Sequence, residues 1–304
     1  MQRHINQHFD ALKAYAAKVN PALRDFQLIH GKLTLKDVGN LDETGLDLCA
    51  GSCGKFVQLE RFGNQVLVPF EQSPHWTLVV GFVGPVRMKM LAIMKGVEGH
   101  TPSPYHAQLL DVNSDVFLGQ SVNGWITNPL KEAFFKMQID AGTIGKRPLV
   151  INVDGHDSNL NNDVLHALAA KHNVLLLVPP SHTSADINGM GTQQCDRPRC
   201  HGGPIACFKS AFRELFCKQF FSSVRKKVNK VSVAEIVKLI EMAWSTSFKP
   251  ELIEKLNRDV GYYNDDEGFL QWDLTRLLPP LAAAPAAAPV APFGDEAESA
   301  EPVE

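Results

Sequence analysis

Pro148-Leu149-Val150-Ile151-Asn152-Val153-Asp154-Gly155-His156-Asp157-Ser158-Asn159 runs from an apolar segment straight into an acid, a glycine and a histidine. The Leu, Val and Ile positions do not alternate with polar ones, which predicts a strand buried on both faces, and Gly155 ends it at a sharp turn. Asp154 is then expected at the carboxyl end of a buried strand. Loops converge on a crevice there in open α/β sheets, so an acid at that end is a candidate for chemistry as well as for capping the following helix. A second acid has similar surroundings. Asp42 lies in Val38-Gly39-Asn40-Leu41-Asp42-Glu43-Thr44-Gly45, again a short apolar approach followed by an acid and a glycine. Carboxylates from separated strand ends suit magnesium, which takes one or two of them together with water and phosphate oxygens.

The segments around these acids suggest the rest of the sheet. Leu41 to Thr44 ends one strand, and segments within Lys55 to Val68 and within Trp76 to Lys95 supply two more, expected as an antiparallel pair. Asn128-Pro129 reads as the start of a helix over Lys131 to Asp140. Val164, Leu165, Leu168 and Ala169 have helical spacing within Asn161 to His172, and Val174 to Val178 is a further apolar run stopped by Pro179-Pro180. Leu149 to Val178 is therefore a parallel βαβ unit, and helices over Ala206 to Phe221 and Val233 to Trp244 close the fold.

Five motifs resemble, in order and rough spacing, those of the DDE superfamily of endonucleases: the catalytic domains of pogo-type and mariner-like transposases and the relatives of centromere protein B, jerky and tigger. Asp42-Glu43-Thr44-Gly45 is similar to the family's first acid signature, and Asp154-Gly155-His156-Asp157-Ser158 to its second. His75-Trp76-Thr77-Leu78-Val79-Val80 resembles its third-strand segment, Asn123-Gly124-Trp125-Ile126-Thr127-Asn128 the start of its next helix, and Val178-Pro179-Pro180-Ser181-His182-Thr183-Ser184 its Pro-Pro-His-Thr-Ser turn. The likeness runs from about Phe26 to Asp259. It implies an α/β, ribonuclease-H-like fold, a mixed central sheet flanked by helices with additional helices at the C-terminal end. It also implies metal-dependent DNA phosphodiester cleavage and strand transfer. Two Mg2+ or Mn2+ ions, about 3.5 to 4 Å apart in such sites, are held by three acids.

The resemblance assigns Asp42 and Asp154 as two of those acids. For the third, Thr192-Gln193-Gln194-Cys195-Asp196 is the best match to the family's Leu-Gln-Pro-Leu-Asp run, with Asp186 as competitor because it lies nearer the expected separation from Asp154. His156 and His182 are supporting candidates near metal or phosphate, with a structural hydrogen bond as the alternative. Lys209 falls in Gly202-Gly203-Pro204-Ile205-Ala206-Cys207-Phe208-Lys209, which resembles the start of the family's next helix. Lys209, Arg197 and Arg199 are candidate DNA contacts. Glu43 is expected to point away from Asp42 on an extended strand and to be structural. Asn159 and Ala185 stand where the family usually carries polar supports.

Composition sets limits on these readings. The chain has 304 residues with 30 basic and 33 acidic side chains and a net charge of −3, so it offers no bulk attraction for nucleic acid. Arg225-Lys226-Lys227 with Lys230 is a local basic cluster that could track a backbone but is more simply explained by a solvated helix face. Cys195, Cys200, His201 and Cys207 raise a zinc reading, but the spacing lacks a tight cysteine pair, and free thiols in a reducing compartment explain them better. The expected organisation is a helical lead-in over 1–25, the catalytic domain over 26–260, a C-terminal extension over 261–280, and an alanine, proline and acid tail over 281–304 expected to be disordered. No apolar run is long enough to span a bilayer and the start lacks a secretory core, so an intracellular and, by resemblance, nuclear protein is expected. DNA and a second copy of the chain are the expected partners. A domesticated protein that keeps the fold without cleavage, or a zinc-stabilised interaction module, stays open as an alternative.

Overall fold

The computed structural model describes residues 2–48, 75–96, 115–155, 157–179, 203–225, 233–247 and 250–273. Its centre is the strand β1 (Val38–Asp47), which pairs antiparallel with β2 (His75–Val83) on one side and parallel with β6 (Leu149–Asn152) on the other. β2 continues antiparallel to β4 (Met90–Lys95), with the short β3 (Val86–Arg87) folded back on it. β4 pairs parallel with β5 (Val116–Ser121), and β6 pairs parallel with β7 (Val174–Leu177). The resulting order, β5-β4-β2-β1-β6-β7, is a mixed sheet of ribonuclease-H-like topology. The expected strand at the 149 segment and the βαβ unit beyond it are both present. The segment expected within Lys55 to Val68 lies outside the described residues.

β2 shows why the sheet is covered on both faces. Its residues alternate between two apolar clusters, as a pleat of period two requires. Trp76, Leu78, Val80 and Phe82 pack on one side against α5 (Pro204–Arg225), α6 (Val233–Ser247) and α7 (Pro250–Asp259). Phe208, Phe212 and Phe216 of α5, four residues apart, form one helical stripe there. Val79 and Val83 face the other side, against Phe134 and Phe135 of α2 (Asn128–Asp140) and Leu165 and Ala169 of α4 (Asp163–Lys171). A one-turn helix, α3 (Asp157–Leu160), joins the carboxyl end of β6 to α4.

The first helix is longer than expected. α1 (Gln2–His30) runs unbroken through 25/26, where the lead-in was expected to give way to the domain. Leu12, Tyr15, Val19 and Leu23 put one face of it into a third cluster with Val38, Val150 and Leu177 of the sheet and Tyr262 and Trp272 of a C-terminal hairpin, β8 (Tyr262–Asn264) and β9 (Leu270–Trp272). Two amides, two turns apart on α1, bind that hairpin's backbone. Asn20 donates to the Trp272 carbonyl and accepts from its N–H, both at 2.9 Å. Gln27 donates to the Leu270 carbonyl at 2.9 Å and accepts from the Leu270 N–H at 2.7 Å. Side chains of the helix thus replace the strand partner that β9 lacks on that side.

A buried amide network ties this end of the molecule to the central strands. Asn40 of β1 and Asn152 of β6 face each other in register, and Asn152 donates to the Asn40 side-chain oxygen at 3.2 Å. Tyr262 donates its hydroxyl proton to Asn152 at 2.6 Å, and Asn40 donates to Asn257 of α7 at 3.0 Å. All four residues are fully buried. Asn152→Ala removes both an acceptor and a donor here, and the orphaned groups are expected to cost about 2–4 kcal/mol of unfolding free energy. Urea denaturation is the measurement, and a loss under about 1 kcal/mol argues that water replaces the amide.

Candidate metal centre

The parallel ladder between β1 and β6 ends at the Asn40–Asn152 pair. Asp42 lies two residues further along β1, and Asp154 follows two residues beyond the last residue of β6. Beyond Asn40, β1 has no ladder partner on the β6 side, and this open margin at the carboxyl end of β6 is where the acids gather. One carboxylate oxygen from each of Asp42, Glu43 and Asp154 lies within 4.8 Å of the other two.

Each acid is held in place. Asp42 accepts a 2.8 Å hydrogen bond from the Glu43 N–H. Asp154 accepts a 2.6 Å bond at Oδ1 from the side-chain amide of Asn159, which also reaches the Asp154 carbonyl at 3.2 Å. Glu43 is ion-paired with Lys131 of α2, whose side chain is only 1% exposed. Thr127 stands at the N-cap of that helix with Pro at the start of its first turn, so α2 begins beside the site and brings Lys131 over it one turn later.

The group carries three carboxylates and one ammonium in a partly buried place. Burial, followed by repulsion from Glu43 and Asp154, raises the Asp42 pKa from 3.8 to about 7, against smaller opposing effects of the Glu43 N–H and Lys131. An upward shift caused by burial first and by neighbouring carboxylates second marks a place where added positive charge is favourable. The donors are all hard oxygens, the set preferred by Mg2+, Mn2+ and Ca2+ over softer metals. The oxygen donors of Asp42, Glu43 and Asp154 fit a divalent cation.

Of the residues expected from the sequence, Asp42 and Asp154 are brought together. Asp196, its competitor Asp186, and His156, His182, Arg197 and Arg199 lie outside the described residues. Lys209 is a partly buried residue of α5. Glu43 departs from expectation. Strand parity does put it on the opposite pleat, opposite Val79 where Asp42 is opposite Val80. Its carboxylate nevertheless joins the other two, because the open strand margin lets the longer side chain approach them. Lys131 was not singled out, since a lysine in an amphipathic helix reads as solvent-facing, and Asn159 was noted only as standing where the family usually carries a polar support.

The cysteines also differ from the free-thiol expectation. Cys207 and Cys217 of α5 are disulfide-bonded. Ten residues of helix separate them by about 15 Å, so they are not bonded to each other. A disulfide sulfur has no thiolate to give a metal, and this removes Cys207 from the zinc reading.

No protein-family model and no curated protein matches the chain. Among solved structures it is similar to the mariner Mos1 paired end complex with Mg, at 13% identity and a TM-score of 0.39, over 83% of this chain and 60% of that one. The Mos1 Strand Transfer Complex is similar at 13% identity and a TM-score of 0.34, over 76% and 56%. The catalytic domain of Mos1 mariner transposase is similar at 12% and 0.29, over 76% and 85%. The chain thus spans 56% to 60% of the longer transposase chains. No helix among the described residues is long and apolar enough to cross a membrane.

Proposed function

We propose that this chain is the catalytic portion of a DDE-type, transposase-derived nuclease that cleaves DNA phosphodiesters and joins strands with divalent metal ions. The observation that carries the reading is the convergence of three carboxylates, Asp42 and Glu43 of β1 and Asp154 just past the end of β6, within 4.8 Å of one another. The finer assignment, to pogo-type and centromere protein B relatives, rests on the five sequence motifs. So do a nuclear location, a homodimer, the extent of the catalytic domain over 26–260, and DNA contacts by Lys209, Arg197 and Arg199.

When bound, two Mg2+ or Mn2+ ions supply Lewis acidity at the scissile phosphate and lower the pKa of water or a 3′-hydroxyl. The protein's own part is positional. Asp42 and Asp154 hold the ions from strands fixed by the buried amide network. Lys131 restrains Glu43 and offsets part of the cluster's negative charge. Asp196, or Asp186 in its place, brings the third acid of the DDE set, with His156 and His182 in support. To hold a cation Asp42 would have to be ionised, giving up the proton that its raised pKa lets it keep near neutrality.

Nicking of supercoiled DNA in Mg2+ or Mn2+ tests the reading. The chain is expected to nick with either ion, and Asp154→Ala to lose the activity while remaining folded. Wild-type inactivity in both metals, with Mn2+ bound, favours the domesticated, non-cleaving protein suggested by the altered spacing before Asp196.

A further inference from the structure

Asn159 is fully buried, yet only one end of its side-chain amide is satisfied. Nδ2 donates to Asp154 Oδ1 at 2.6 Å and to the Asp154 carbonyl at 3.2 Å, while Oδ1 has no hydrogen-bond partner among the described residues. Turning the amide over does not resolve this, since Oδ1 would then face a carboxylate and a carbonyl, both acceptors. The residue itself is held. Its backbone carbonyl is engaged by His166 Nε2 at 2.8 Å, and the next turn is fixed by Asn162 capping Leu165 at 3.0 Å.

A buried carbonyl oxygen without a donor is unfavourable and calls for a water or an ion as its missing partner. Its place limits which. The two ends of a primary amide are about 2.3 Å apart, so Oδ1 lies no more than roughly 5 Å from Asp154 Oδ1, a bound that includes the separations of oxygen ligands on one ion, up to about 4.2 Å for Mg2+ and about 5 Å for Ca2+. The oxygen is neutral, adding a donor to the cluster without a fourth negative charge.

We infer that Asn159 Oδ1 is a ligand of the divalent cation held by Asp42 and Asp154. The same side chain has two roles: its nitrogen holds one oxygen of Asp154, and its oxygen binds the ion. The inference rests on the metal-site reading above. The competing occupant is a single water between Asn159 Oδ1 and Asn162 Nδ2, a buried donor that also lacks a partner.

Mn2+ titration of the full chain, followed by calorimetry and by the electron paramagnetic resonance signal of free Mn2+, separates these. Asn159→Leu keeps the volume and removes both roles, and is expected to weaken Mn2+ binding about 10- to 100-fold. Asn159→Asp keeps an oxygen ligand, and is expected to bind within about threefold of wild type while its melting temperature becomes more dependent on Mn2+. Circular dichroism checks that both variants fold. Equal affinity in wild type and Asn159→Leu overturns the inference in favour of the water. Equal weakening in both variants also overturns it, leaving Asn159 as a clamp on Asp154 alone. Absence of Mn2+ binding by wild type removes the metal-site reading itself, a separate result. If Asn159→Leu fails to fold, Asn159→Ala, which also lacks the oxygen, takes its place under the same criteria.

Discussion

Asp42→Asn is expected to abolish DNA nicking and, in the absence of metal, to make the protein more stable at pH 8. The activity follows from the loss of an anionic ligand. Metal stabilisation of a transition state amounts to several kcal/mol, so removing an anchor lowers the rate by at least about 10³-fold. The stability follows from the pKa, raised in the fold from 3.8 to about 7. Between those two values the unfolded chain has released the Asp42 proton and the folded chain still holds it. Folding therefore takes up a proton, and this residue's contribution to stability falls as pH rises through the window, reaching its lowest level above pH 7. Three pH units correspond to about 4 kcal/mol as a ceiling, and solvent at the open strand margin reduces the expected gain in Asp42→Asn to about 2 kcal/mol. At pH 4, where Asp42 is protonated in the fold, the two proteins are expected to unfold at nearly the same urea concentration. Saturating Mn2+ reverses the order at pH 8: it adds about 3 kcal/mol to wild type at a hundred times its dissociation constant and little to the variant. A variant that is no more stable than wild type at pH 8 without metal, by urea midpoint, shows that the three carboxylates are not under mutual strain.

How far the sequence revealed this site depended on whether each contribution was local. Leu149–Asn152 was legible because a strand buried on both faces is a continuous apolar run, and the turn at Gly155 placed Asp154 at its end. The pairing of Asp42 with Asp154 was readable only through motif resemblance, since strand neighbours depend on topology. β5 was missed: Val116-Phe117-Leu118-Gly119-Gln120-Ser121 carries a glycine and no alternation, and it is a strand because β4 offers it a full parallel ladder. The Tyr262–Trp272 hairpin was missed for a similar reason. Three-residue strands have little intrinsic signal, and this pair is held by Asn20 and Gln27, more than two hundred positions away in sequence. The third cluster is non-local in the same way: α1 and the hairpin pack on Val38 and Val150, the first pair of the β1–β6 ladder.

Lys131 is the residue whose role was least visible in the sequence and whose removal is expected to damage the fold most. Its ammonium is buried against Glu43, and the side chains are 1% and 12% exposed. Lys131→Met keeps the length and apolar stem of the lysine but leaves Glu43 without its counter-charge beside two further carboxylates. Breaking a buried pair from one side costs about 3–5 kcal/mol, because the remaining ion stays out of water without compensation. Three observations follow from that cause and distinguish it from lost packing. Adding Glu43→Leu to Lys131→Met removes the stranded charge and is expected to recover most of the loss, so the two changes are strongly non-additive. Acidification is expected to narrow the gap to wild type, since protonated carboxyls need no cation. Mn2+ is expected to raise the melting temperature of Lys131→Met more than that of wild type, because the cluster then lacks its resident positive charge and a divalent ion takes over the balance. Additive double-mutant energetics in urea, together with an unchanged Mn2+ effect, make Lys131 a packing residue and leave the acid cluster's charge balance to residues other than this lysine.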